Sequence, residues 1–213
     1  MSDLMKVGAD WGAAGSFKPL TSTISGAQRT SDAHGRYLDA VLANRVFFMS
    51  LSAATPTAYV GAAAGTPLLA IHNPANSNKV FAVMMVGYAA RGQVTAAGTT
   101  ALVLWGGPSV LPTGTVTQPK SALSQAQGGS AIGFSNTALT GSTALAVALP
   151  LNAFHLIGAT PVSESNLLSL YDVAGLVLAT PGNQIAIGVT TVPTGLTCDL
   201  AMYWEEMPYL AQV

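Results

Sequence analysis

The side chains with the most capacity for chemistry are three histidines, one cysteine and one adjacent carboxylate pair. Their spacing limits what that chemistry can be. His34, His72 and His155 show no HxH or HExxH arrangement, so no two imidazoles are set to share a metal ion. His72 precedes Asn73 and Pro74 and reads as a turn-capping residue. Glu205 and Glu206 are neighbours, and adjacent side chains of an extended strand point to opposite faces, so they cannot serve one bond as acid and base. They read as a charged strand end that solvates a rim or meets a basic segment. Cys198 falls on the apolar face of a strand and reads as a small core residue. Trp105 and Trp204 read as core or interface rings rather than a sugar-stacking platform. There is no nucleophile elbow, no phosphate-cradling loop followed by lysine and no dinucleotide fingerprint, and Gly128-Gly129-Ser130 reads as a flexible loop. The expectation is a chain without a cofactor, a metal or a catalytic centre.

The elements that position these residues are strands. The clearest signal is Leu68 to Val86, where two apolar runs flank the polar connection His72 to Lys79. Asn73-Pro74 starts a turn there, and Asn76, Ser77 and Asn78 tolerate left-handed backbone. Further strands are read at 45–51, 100–106, 144–149, 153–158, 167–171, 176–178, 184–191 and 196–204, most of them separated by proline or glycine turns. In the last of these Leu196, Cys198, Leu200, Met202 and Trp204 share one face, a period of two that marks antiparallel sheet with one side buried. Helical spacing is confined to 31–44. The fold class is therefore all-β, an antiparallel β-sandwich of about eight main strands, jelly-roll-like.

Two segments depart from this pattern. Residues 1–30 are rich in Gly, Ala, Ser and Thr and carry isolated large residues at Trp11, Phe17 and Ile24. They read as an extended arm held by a neighbouring subunit or by the β domain at 31–213. The stretch 108–143 has few large apolar residues, and a loop that long needs a task or irregular short strands of its own. It reads as a projecting contact loop with Ile132 and Phe134 as anchors.

Charged residues make up 8% of the chain, against about 25% in an average soluble domain. Interface cores are depleted of charge, so much of the surface is expected to lie against other subunits. All eight basic residues, including Arg29, lie in the first 120 positions beside four aspartates, a balance of +4, and the five carboxylates beyond give −5. An arm docking on the acidic end of a neighbour would fit that polarity. No basic cluster points to nucleic acid and no apolar run is long enough to span a membrane. The opening residues lack a signal-peptide core, so synthesis in a cytoplasm is expected.

The glycine- and alanine-rich arm, the Gly35-Arg36-Tyr37-Leu38-Asp39-Ala40 approach to Val46-Phe47-Phe48, the turn at residues 73–79 and the closing Met202-Tyr203-Trp204-Glu205-Glu206 together resemble small virion proteins of tailed bacteriophages. Within that group the chain is most similar to jelly-roll cement or decoration proteins. The resemblance implies a homotrimer on the capsid surface that clamps neighbouring subunits of the major capsid protein. Interaction residues would be Trp11, Phe17, Ile24, Arg29, Ile132, Phe134, Glu205 and Glu206. The alternative is a tail-fibre or spike knob that recognises a host-surface glycan through exposed Trp or Tyr.

Overall fold

The chain was analysed as a computed structural model that describes residues 21–22, 28–29, 37–91, 98–141, 143–156 and 168–209. It divides into two units, Met1–Asp39 and Ala40–Val213. In the first, β1 (Thr21–Ser22) pairs antiparallel with β2 (Gln28–Arg29). The expected anchors Trp11, Phe17 and Ile24 lie outside the described residues, as does most of the arm. Of the helical stretch read at 31–44, the structure describes a five-residue helix, α1 (Leu38–Leu42).

The second unit is built from β3 (Val46–Ala54), β4 (Leu69–His72), β5 (Lys79–Arg91), β6 (Gly98–Pro108), β7 (Val116–Thr117), β8 (Lys120–Ser121), β9 (Ile132–Ser135), β10 (Val147–Leu156), β11 (Leu168–Asp172), β12 (Leu178–Ala179), β13 (Asn183–Val189) and β14 (Thr197–Pro208). One sheet has the order β10-β6-β13-β4-β9-β7. The other has the order β11-β5-β14-β3-β8, with β12 also on β5. Setting aside the short β7, β8, β9 and β12, the remaining eight strands form nested antiparallel pairs: β3 with β14, β4 with β13, β5 with β11 and β6 with β10. The ribbon of paired strands rolls over, and β14 then joins β5 while β13 joins β6. This is the strand order of a jelly roll, the architecture expected from the sequence.

Alternation explains where the core sits. On β14, Cys198, Leu200, Met202 and Trp204 are buried, while the residues between them are part-exposed. The β10-to-β7 sheet is covered on both faces. Leu69, Ile71, Ile185 and Ile187 belong to the main cluster between the sheets, and Ala70 and Ala186 belong to a second cluster on the outer side with Tyr59, Phe134, Leu139 and Leu145. Strands covered on both sides read as continuous apolar runs, which is how β4 and β13 appear in the sequence. Gly188 makes the outer layer possible, since a Cβ there would lie 2.8 Å from that of Tyr59.

The strand-turn-strand signal at 68–86 is a sheet corner, because β4 and β5 lie in different sheets and the turn joins them. Asn73 fixes that corner. It is fully buried, its Nδ2 donates to the carbonyls of Lys79 and Ala179 at 2.8 Å each, and its Oδ1 accepts from Ser77 Oγ at 2.5 Å. Its backbone N–H donates to Asn183 O and its carbonyl accepts from Gly182 N–H. Asn78 takes the left-handed backbone, at φ 52°. Two expectations change. First, 108–143 is not a projecting loop: β7 and β9 extend one sheet and β8 extends the other. Second, the two strands read on either side of Pro150 are one strand, β10, with a bulge between Pro150 and Asn152. β10 is a sheet edge, where a residue without an N–H costs no ladder bond.

Asn73→Ala leaves the Lys79 and Ala179 carbonyls unpaired in the interior. It should lower unfolding free energy by about 2–4 kcal/mol, against about 1 kcal/mol for Ser77→Ala, both measured by urea denaturation.

Candidate functional site

The carboxylate pair separates as strand geometry requires. Glu205 lies on the outer face of β14 and pairs with Arg45 Nε at 3.0 Å. Glu206 follows Trp204 on the inner face, with a side chain 1% exposed. Lys79 Nζ donates to its Oε2 at 2.9 Å, the Ser130 N–H lies 2.8 and 3.0 Å from its two oxygens, and the Ala131 N–H donates at 3.3 Å. A buried carboxylate requires both a counter-charge and hydrogen bonds, and Glu206 has them. Gly129 permits this approach, with φ 91° and a position where a Cβ would sit 2.8 Å from Glu206 Oε1. The glycines read as loop flexibility therefore seat a carboxylate. Together with Arg45 and Phe47, Lys79 and Glu206 line a hollow of about 410 Å3, whose two cations are already paired.

Cys198 is buried, and desolvation, then the neighbouring Asp199, pushes its thiol up to about 12. It is a protonated core residue at neutral pH. Among the described residues no three His, Cys, Asp or Glu side chains are grouped to hold a metal ion. Trp204 is fully buried, and Trp105 packs against Gly61 with its Nε1 buried.

His72 ends β4 on the outer face of its sheet. One row of that face runs from Gly107 of β6 through Gln184 of β13 and His72 to Ile132 of β9. His72 Nδ1 and both amide atoms of Gln184 are buried without a hydrogen-bond partner. Such groups cost about 1–3 kcal/mol each when left unsatisfied. Burial holds the imidazole below its ordinary 6.5, so it is neutral near pH 7. His72 lines an open groove of about 600 Å3 with Pro74, Pro108, Val110, Leu111 and Ile132.

Three exposed leucines, two of them the most exposed large apolar side chains among the described residues, lie elsewhere, on the β11–β12 edge of the other sheet. Leu176 is 77% exposed, Leu170 66% and Leu178 50%. Leu170 lies over Gly87, where a Cβ would sit 3.3 Å from its Cδ2. Leu178 is opposite Ala82. Part-exposed Met85 and Ala201 continue this face to Phe48 and Tyr203, whose rings stack at 5.4 Å. Charge on this face is sparse: Asp172 stands on β11 opposite Met85, two residues from Leu170, Asp199 accepts from Ser52 Oγ and the Ala53 N–H, and Glu205 meets Arg45.

The expected interaction residues are therefore dispersed. Phe134 is 1% exposed in the domain's own outer cluster, and Ile132 packs partly against that cluster, so the supposed loop anchors hold β9 down. Glu206 is committed internally. Of Arg29 only the backbone, in β2, is described. The leucine edge escaped sequence reading because Leu170 and Tyr171 must face opposite ways, and nothing local says that Tyr171 turns inward. Gln184 carried a legible signal, a lone polar side chain opening an otherwise apolar strand.

No protein-family model matches the chain, and no curated protein or solved structure is significantly similar to it.

Glu206→Gln should cost about 2–3 kcal/mol in urea denaturation because it uncouples Lys79 and the 129–131 turn, whereas Glu205→Gln at the rim should cost under about 1 kcal/mol. For His72, the unfolded chain takes up a proton at higher pH than the folded one. Stability should therefore fall as pH drops below 6.5 towards the folded value, and this component of the pH profile should be missing in His72→Leu.

Proposed function

We propose that this protein is a non-enzymatic structural component that acts by assembly, as a cement or decoration protein on a virus capsid. The observation that carries the reading is the leucine edge: Leu170, Leu176 and Leu178 stand in solvent along one border of a sheet face, with Asp172 the one carboxylate among them. Monomeric proteins rarely leave large adjoining apolar side chains uncovered. The chain-wide scarcity of charge, 8%, supports the same reading, since an isolated subunit would have little colloidal protection.

In this reading the leucine edge meets a second copy of the chain, giving a homotrimer. Residues 1–30 would reach the major capsid protein, and many weak contacts repeated over a lattice would supply avidity without a strong single site. The surface would be that of a virion particle, after synthesis in the host cytoplasm.

Leu170→Glu combined with Leu176→Glu should leave unfolding free energy within about 0.5 kcal/mol of the parent, because both side chains are exposed. Native mass spectrometry should show an oligomer for the parent and a monomer for this variant. A parent that is monomeric at micromolar concentration would rule out the assembly reading. Deleting residues 1–30 should preserve the oligomer and abolish capsid decoration; full occupancy by the truncated protein would remove the arm from the mechanism.

A further inference from the structure

We propose that His72 is an acid-sensitive latch: its protonation opens the corner at Asn73 and loosens the hold on β12, while the remaining strands keep their pairing. The device works within a single chain and does not rest on the assembly reading. His72 is 4% exposed, and its Nδ1 is buried without a hydrogen-bond partner. A charge placed there needs a carboxylate or water to stabilise it. None of the six strands of its sheet carries a Lys, Arg, Asp or Glu. Of the elements packed against it, β13 presents the neutral amide of Gln184, β9 presents Ile132, and the stretch from Pro108 to Leu111 is uncharged. β3, which also approaches β4, has no titratable side chain. The other titratable groups near this sheet are engaged elsewhere. His155 is opposite Thr99 at the far end of β6, Tyr59 packs on Gly188 at the far end of β13, and Lys79 pairs with Glu206.

An imidazolium at this position reaches water only by turning out toward the groove that the ring already lines. Asn73 is the next residue and has to follow. Its side chain holds the Lys79 and Ala179 carbonyls, and its backbone pairs with Gly182 and Asn183, so one displacement breaks links to β5, β12 and β13 together. β12 is the least secured of these, with two residues paired to Phe81 and Ala82. β14 is paired along both sides and does not depend on the corner. The direction follows from burial, which holds the closed-state imidazole below its ordinary 6.5. In the opened corner the ring is hydrated and titrates at the ordinary value. Below 6.5 the open fraction therefore rises by up to about tenfold per pH unit, until the closed-state value is passed.

The test is hydrogen exchange by NMR on the full chain, expressed as protection factors so that the intrinsic pH dependence of exchange is removed. From about pH 7 to about pH 5, protection of the backbone amides of Asn73 and Gly182 and of the Asn73 side-chain amide should fall at least about threefold. Protection of Met202 and Trp204 in β14 should stay constant. His72→Leu and His72→Gln, neither of which can take up a proton, should show no fall at the corner. The His72 imidazole, titrated by NMR in the same samples, should have its midpoint below 6.5. Unchanged corner protection down to about pH 5, an equal fall in either variant or in β14, or an imidazole midpoint at or above 6.5 would each overturn the latch.

Discussion

The sandwich depends on a buried amide at one corner. At Asn73 the chain leaves β4 in one sheet and enters β5 in the other, so no strand ladder can hold the crossing. The Asn73 side chain substitutes for that ladder by donating to the start of β5 at Lys79 and to the end of β12 at Ala179. Its backbone meanwhile pairs with the turn that opens β13, through Gly182 and Asn183. Four chain segments converge on one residue, and every polar group of that residue is used. Side-chain amides suit this duty because they carry two donors and an acceptor in one rigid plane.

The same corner shows how far a sequence reading reaches. Strand existence was legible almost throughout, because apolar runs and alternation are local properties of the chain. Sheet membership was not. The stretch from Leu68 to Val86 shows locally two strands and a turn, and it is long-range pairing of β4 with β13 and β5 with β14 that assigns them to different sheets. Phe134 was recognisable as an anchor, but the surface it anchors to is its own domain. Pro150 looked like a strand end because edge position is also a long-range property. The candidate site followed the same division: Gln184 stands out within Asn183–Val189 as the wrong type of residue for a strand buried on both faces, whereas the exposure of Leu170 depends on which way a neighbouring tyrosine turns.

Scarcity of charge shapes the molecule from both sides. The few carboxylates described in detail have internal assignments: Glu206 seats the 129–131 turn, Glu205 meets Arg45, and Asp199 holds the N–H of Ala53, a residue with left-handed backbone at φ 49° beside a break in the β3–β14 register. Charges that brace loops and bulges in this way do little to keep molecules apart in solution. The surface that remains is largely neutral, and both the leucine edge and the groove beside His72 belong to it.

The nested order of the strands also bears on how the chain is made. β14 is the central strand that joins β3 to β5, and among the described strands it is the last to be synthesised. Until Thr197–Pro208 has emerged, one sheet consists of two unconnected parts, and Phe47, Met49, Phe81 and Val83 have no Trp204 or Met202 to pack against. Closure of that sheet must wait for this strand, with long-range pairing as the slow step and an aggregation-prone nascent chain before it. A chain without this strand would keep most of the core residues and have no closed sandwich for them to occupy.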